Sequence, residues 1–397
     1  LALGGVTAAA FTPAVGQSKF GLKGYLRTNW SRDPFSLGSY SYIAKASRQS
    51  DTATLAAPID NRIFFAGEAT HPRANSTVHA AYETGLDAAQ SVADTGAQRV
   101  IVVGAGMSGL AAAARLSRAG RDVVVLEARR RIGGRIWTNS SLGVPLDLGA
   151  SWIHGPRGNP LTKLANSVGA SRKSTGDSYT YRNGRGLEMR ERDTPDWIDD
   201  VTEFEHSFGT ERSKVNLRAA WAQPSYGGAD VAFPKGYAQL FSGLRGNYET
   251  RLGAIVDKVS LTGQGVTVGL SNASTVAADA VIVTLPLGVL KTGRVRFEPS
   301  LPQAKAQAIK RLGFGVLDKL YLKYDRVFWD KNTSWIITPD NGLPKGQFNQ
   351  WLNLSPFLGQ PIIMAFNAGD VARSLGTLSD AAILNRGRRA IESAYTG

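Results

Sequence analysis

The stretch Arg99 to Arg135, RVIVVGAGMSGLAAAARLSRAGRDVVVLEARRRIGGR, constrains the fold more than any other part of the chain. Val100 to Val103 is an unbroken β-branched run with no polar face, which reads as a strand buried in a parallel sheet. Gly104, Gly106 and Gly109 follow as GxGxxG. The first glycine permits a tight turn, the second lets a pyrophosphate approach the backbone, and the third lets helix and strand pack closely. The pattern predicts a helix over about Ser108 to Arg118, with Met107 and Ser108 at its start and its free amides turned to the phosphate. A second apolar strand, Val123 to Leu126, ends at Glu127, where a carboxylate can accept hydrogen bonds from a ribose diol. Glycines alone often mark only turns. Strand, glycines, helix, strand and acid in one βαβ unit predict a dinucleotide site. Arg129, Gly133, Gly134 and Arg135 add a second glycine turn flanked by guanidiniums, suited to bidentate bonds with the same pyrophosphate. The plainer alternative for that turn is a basic surface loop.

Asp147 to Gly155, DLGASWIHG, completes a pattern that resembles the flavin-containing amine oxidase family, which includes polyamine, spermine and monoamine oxidases and flavin-dependent histone lysine demethylases. The resemblance implies FAD rather than NAD, with Gly149, Ala150, Ser151 and Trp152 against it. It implies an α/β fold, a Rossmann-like FAD-binding domain joined to a substrate domain of mixed sheet and helices. The expected division is a leader-like segment with substrate-domain strands at 1–56, FAD-binding domain at 57–156, a helical substrate-domain insertion at 157–230, FAD-binding domain again at 231–299, and substrate domain at 300–397.

Further segments carry the same likeness. In YLRTNW and LGSYSY, two short strands around Asp33-Pro34, Trp30 and Tyr40 match aromatics that stand beside the flavin; read without the resemblance, both are ordinary core residues. Asn61 to Ala89 resembles the C-terminal FAD signature. There Gly67 turns the chain, Glu68 reaches the ribityl or phosphate region, and the helix start at Thr77 and Val78 meets the flavin pyrimidine edge. A helix N-terminus at that edge would stabilise negative charge on a reduced flavin. Val256 matches a backbone cap on the adenine, and Thr284 and Pro286, in AVIVTLPLGVL, match a segment closing over FAD. Lys319, on a strand expected to alternate over Val316 to Tyr324, matches a lysine bonded through water to flavin N5; taken alone it is an exposed strand lysine. His154 matches a substrate-nitrogen partner, or is a polar loop residue. The resemblance implies oxidation of an amine, polyamine or secondary amine first, to imine or aldehyde, with O2 reduced to H2O2. An amino-acid oxidase of the same superfamily and a non-catalytic FAD-binding protein are the alternatives.

The order of these pieces differs from the family's, where the GxGxxG unit comes first and the SYSY and GEAT segments last. A circular permutation, or a rearranged chain, would bring residues near 20 and 397 together, with Val92 to Gln98 as the new bridge.

Charge and cysteine count narrow the chemistry. Lys plus Arg total 46 against 32 Asp plus Glu, a net charge of +14, which repels a polycation at long range. A cationic substrate then needs a local acidic funnel, for which Asp199, Asp200, Glu203 and Glu205 are candidates; the plainer reading is a solvated helix face. With no zinc knuckle, RNA-binding signature or long basic tract, nucleic acid is not an expected partner. The chain has no cysteine, so the FAD cannot form a cysteinyl thioether and is expected to be non-covalent, or held through His at best, and no cysteine-held metal is possible. No run is long enough to span a bilayer. Leu1 to Val15 reads equally as a leader remnant or a packed strand and turn, which leaves a soluble protein either cytoplasmic or exported.

Overall fold

The structure, a computed structural model, describes residues 6–10, 18–48, 50–221 and 226–396. Five parallel strands lie in the order Glu249–Leu252, Asp122–Glu127, Arg99–Val103, Ala280–Val283 and Ile63–Phe65. The Arg99–Val103 and Ala280–Val283 strands sit inside this sheet, and their Val and Ile side chains are buried on both faces. Helix Met107–Arg118 covers one face so tightly that a Cβ on Gly109 would stand 1.9 Å from the Gly104 carbonyl oxygen. Helix Val78–Asp94 packs beside it, and there a Cβ on Gly85 would meet the Ser108 carbonyl at 2.2 Å. Only the link 95–98 separates this second helix from the Arg99 strand.

The second layer is an eight-stranded sheet in the order Val6–Ala10, Leu22–Thr28, Leu317–Tyr324, Ile362–Ala368, Gln350–Asn353, Trp335–Ile337, Tyr179–Arg182 and Glu188–Met189. Leu317–Tyr324 was expected to alternate, yet nearly all of it is buried. It runs mid-sheet: Leu320 and Leu322 face a core shared with Leu384 and Ile391 of helix Asp380–Ser393, while Tyr321 faces Leu146, Leu148 and Met364 on the other side. A strand covered on both faces has no solvent side to encode.

Val6–Ala10 pairs antiparallel with Leu22–Thr28; the rest of the Leu1–Val15 segment lies outside the described residues. The Ser18 hydroxyl donates to Glu392 Oε1 at 2.6 Å, and Phe20 stacks on Phe328, whose edge meets Tyr395. The two regions expected to adjoin therefore do so at 18–20 and 392–395, while Gly397 lies outside the described residues.

The expected insertion at 157–230 is divided between the layers. Helix Pro160–Ser167 joins the core of the parallel-sheet layer through Leu161, Leu164 and Ala165, whereas Tyr179–Arg182 and Glu188–Met189 extend the eight-stranded sheet. Sequence polarity across 157–230 hid that split because the helix presents only a narrow apolar stripe. Among the described residues, no helix is long and apolar enough to cross a membrane.

Candidate active site

A cavity of about 1230 Å³ opens between the two layers, at the carboxyl ends of the parallel strands. It exceeds the roughly 300–1,000 Å³ usual for one small ligand. The glycine turn forms one end. Gly104 adopts a φ of +104° that a side chain resists, and a Cβ there would meet Thr284 Oγ1 at 2.6 Å. Gly106 is different: its backbone is extended, and a Cβ on it would project into open space within the cavity wall. Gly106 precedes helix Met107–Arg118 with no side-chain cap, so the first helical amides are left for a ligand. Ser108 Oγ is buried without a hydrogen-bond partner. A cradle that any side chain would fill, uncapped helical amides and an orphan hydroxyl fit a dinucleotide pyrophosphate.

The remaining predicted residues collect around this cradle. Met107, Ser108 and Glu127 line the cavity, as do Gly133 and Gly134. The Gly133 amide donates to the Ala105 carbonyl at 2.7 Å, which docks the second glycine turn on the first. Glu127 accepts the Ala105 amide at 2.7 Å through one oxygen and the Arg129 amide at 2.8 Å through the other, so backbone bonds fix its direction. Val256, Thr284 and Pro286 line the same wall. Gly109 does not reach the cavity; its place is the helix–strand contact described above.

The two guanidiniums flank the second glycine turn, each with a carboxylate partner. Arg129 is locked to the buried Asp33 by two bonds of 2.7 and 2.6 Å, and Arg135 donates to Glu68 at 2.8 Å and to the Ser39 carbonyl at 3.0 Å. Both line the cavity, each held by a carboxylate that the sequence reading did not name. A guanidinium this far from water needs a carboxylate opposite it, which spacing along the chain did not reveal. Glu68 also accepts from the Ser41 hydroxyl at 2.5 Å and the Ser76 amide at 2.8 Å. Its task in the fold is to tie Gly67–Thr70 to the Tyr40–Tyr42 strand and the glycine turn.

Thr77 caps helix Val78–Asp94, accepting the Ala80 amide at 3.2 Å, and Val78 and Gly67 face the cavity beside it. Trp30 is 2 % exposed, with its indole donating to the Leu148 carbonyl at 3.2 Å. Its amide is held by Asp318 at 2.8 Å, a carboxyl that burial pushes up to about 6. Tyr40 donates to the His206 carbonyl at 2.5 Å, and burial pushes its phenol well above the ordinary range. Both rings line the cavity.

Lys319 stands at the buried floor, 4 % exposed. Its ammonium donates to the Asp147 carbonyl at 2.8 Å, the Gly149 carbonyl at 2.6 Å and Ser151 Oγ at 2.5 Å. Three acceptors take three donors, so a charged Lys319 has no hydrogen left for a water unless one of these bonds opens. Burial pushes the amine down, and the Asp147 carboxylate opposes that shift. Burial in turn pushes Asp147 up, against bonds from the Thr138 hydroxyl and the Tyr237 amide. Gly149, Ala150, Ser151 and Trp152 complete this floor, with the Lys319 ammonium 5.5 Å from the Trp152 ring and 5.9 Å from that of Phe366.

Trp152 was expected at the site, but the rings it meets there, Tyr179, Trp335 and Phe366, escaped sequence reading. Tyr179, Trp335, Phe366 and Trp152 make a wall of rings with centroids 6.1–6.5 Å apart. They come from four separate strands, so no local motif announces the wall as a whole. His206 and Gln350 also line it, with Nδ1 2.6 Å from the Gln350 oxygen, and burial pushes His206 down to about 4. Of the four carboxylates proposed as a funnel, Glu203 lines the cavity; Asp200 is instead paired with Arg212, and Asp199 and Glu205 do not line it. Asp177 and Asp230 join Glu203 at the rim. His154 lies there too.

Comparison with known proteins agrees with this geometry. The family model for flavin containing amine oxidoreductases matches residues 9–93, 107–226 and 204–396, most of the chain. Probable polyamine oxidase 4 of Arabidopsis thaliana is 31 % identical over 347 residues, covering 72 % of this chain and 69 % of that protein. Polyamine oxidase 4 of Oryza sativa subsp. japonica is 31 % identical over 342 residues, 71 % of this chain and 69 % of that one. Protein FLOWERING LOCUS D of Arabidopsis thaliana is 31 % identical over 340 residues, 70 % of this chain but 42 % of its own length. A putrescine oxidase double mutant redesigned in its cofactor binding superposes with a TM-score of 0.58 at 19 % identity, covering 75 % of this chain and 82 % of that one, and so shares the fold.

Proposed function

This chain belongs to the flavin-containing amine oxidoreductase family, and from that premise we propose that it binds FAD non-covalently and oxidises a polyamine or other secondary amine, forming H2O2 from O2. It is an oxidoreductase acting on amines with a flavin cofactor. FAD, when bound, supplies the two-electron acceptor and the place where dioxygen is reduced. The residues around Gly106, Ser108 and Glu127 would hold its pyrophosphate and ribose, and the Thr77–Val78 helix start its ring edge. The protein's own part is to hold a neutral amine at the floor, between Trp30, Tyr40 and Lys319, and to keep water from it. Lys319 would steady negative charge developing there.

The observation that carries this reading is the open cradle at Gly106 leading to a buried lysine floor within one cavity. The test is anaerobic mixing of the holoenzyme with spermine, spermidine, putrescine, tyramine and L-amino acids. Bleaching of the flavin by a polyamine, with peroxide on admitting air and release of flavin by acid, is expected. Bleaching by amino acids alone, or by nothing in the panel, overturns it.

We propose further that the chain order is a circular permutation of the family order, with the FAD-binding and substrate domains assembled from the segments 1–56, 57–156, 157–230, 231–299 and 300–397. The Ser18–Glu392 contact and the short link 95–98 support it. A chain opened within 95–98, with Thr396 joined to Ser18 by a short linker, should fold and retain flavin. Loss of flavin in that chain sinks the proposal.

A further inference from the structure

Trp30 and Lys319 reach the cavity from neighbouring parts of one sheet, and bonds behind the cavity wall set one against the other. The ladder between Leu22–Thr28 and Leu317–Tyr324 runs as far as Arg27 opposite Leu320. Beyond that pair, side chains take over from backbone. The Lys319 amide donates to Thr28 Oγ1 at 2.8 Å, and the Thr28 hydroxyl donates on to Asp318 Oδ1 at 2.8 Å. The same Oδ1 accepts the Trp30 amide at 2.8 Å, where the chain leaves its strand for the short turn Trp30–Arg32. One carboxylate oxygen therefore joins the start of that turn, through Thr28, to the backbone of Lys319.

Asp318, Thr28 and Trp30 are all buried, so water is poorly placed to replace a lost bond. Burial pushes the Asp318 carboxyl up to about 6, opposed by the Trp30 and Thr28 bonds and by the charges of Arg27 and Arg373. Both guanidiniums are engaged elsewhere, Arg27 with Asp380 at 2.6 Å and Arg373 with the Phe314 carbonyl at 2.7 Å. At the far end the two side chains meet again. Asp147, Leu148 and Gly149 offer successive carbonyls, and the outer two accept the Lys319 ammonium while the middle one accepts the Trp30 indole. A Cβ on Gly149 would come within 3.4 Å of Trp30 Cζ2, so the indole lies close against that backbone. Ring and ammonium are tied to each other at base and tip.

We propose that Asp318 and Thr28 are positioning residues, a clamp that sets Trp30 against Lys319 for the oxidation without touching substrate or cofactor. This rests on the amine-oxidation reading and adds to it two residues that line no part of the cavity. Misplacement by about 1 Å at a reacting centre can cost on the order of a hundredfold in rate, so loss of the clamp is read in rate rather than in affinity.

Flavin reduction by spermine is followed anaerobically in the holoenzyme, well below the melting temperature of each variant, and the limiting rate is separated from the half-saturating concentration. Thr28→Val keeps the shape of the side chain and removes the hydroxyl. It should retain flavin, lower the limiting rate at least about tenfold, leave the half-saturating concentration little changed, and shift the visible bands of the bound flavin. Asp318→Ala should do the same, and the double variant should add little, because both changes break the Thr28–Asp318 link. Thr28→Ser and Asp318→Asn, which keep a hydroxyl and an acceptor oxygen, should recover most of the rate. A lower melting temperature with unchanged limiting rate and bands, rate losses that multiply in the double variant, or failure of the Ser and Asn variants to recover the rate each overturn the clamp. Should Asp318→Ala not fold, Thr28→Val and the two conservative variants carry the same test. If spermine leaves the wild-type flavin oxidised, the polyamine reading falls, while the bands of Thr28→Val still decide whether the clamp holds the floor.

Discussion

Lys319→Met should leave FAD bound and lower turnover by roughly 10²–10⁴-fold, the range for a positioned group that handles protons or charge. The lysine is the cation at the buried floor, and its ammonium is aimed by the Asp147 and Gly149 carbonyls and Ser151 Oγ. Methionine matches its length and apolar stem, so the neighbouring Trp152 and Phe366 rings keep their packing. What disappears is the charge and three donors. The melting temperature should also fall, since the two carbonyls lose their partner and the buried Asp147 carboxyl loses its nearest opposing charge. The two effects separate when flavin reduction and reoxidation are followed well below melting. Unchanged half-reactions with an intact flavin spectrum would make Lys319 a structural residue only.

Gly106→Val should give a folded protein that purifies colourless. At several glycines of this chain a side chain would collide with backbone, and loss of flavin would there be inseparable from misfolding. Gly109 is such a case, 1.9 Å from a carbonyl oxygen. Gly106 is not, because its φ of −80° and ψ of −176° suit valine and, beyond its two chain neighbours, no described atom lies within 4 Å of a Cβ placed there. The added side chain would occupy only the space at the start of helix Met107–Arg118. Loss of the flavin absorbance with an unchanged far-ultraviolet circular dichroism spectrum is the expected result. Retention of stoichiometric FAD would move the cofactor away from this turn.

Much of the cradle was legible because its parts are local. GxGxxG between a β-branched strand and a helix specifies backbone conformation residue by residue, and Gly104, Gly106 and Gly109 take the turn, approach and packing positions that the spacing implies. The same logic found helix Val78–Asp94 from its threonine start and Glu127 from the end of its strand. It failed wherever a side chain's partner lies on another element. The carboxylates that hold Arg129 and Arg135, Asp33 and Glu68, were not foreseen. The strand holding Lys319 looked half-exposed until helix Asp380–Ser393 and the Leu146–Leu148 segment covered its two faces.

The sequence by itself therefore determined the dinucleotide-type βαβ unit, the absence of a cysteinyl flavin bond, and the kinship that the family match bears out. Those properties depend on residue type and on spacings of a few positions. Only the tertiary structure decided the ring wall of Trp152, Tyr179, Trp335 and Phe366, the three acceptors around Lys319, and the register that sets Asp230 against His154. Each of these needs strands from distant parts of the chain to lie side by side. Hydrogen bonds and ring contacts act over a few ångströms, and folding alone chooses which distant residues come within that range.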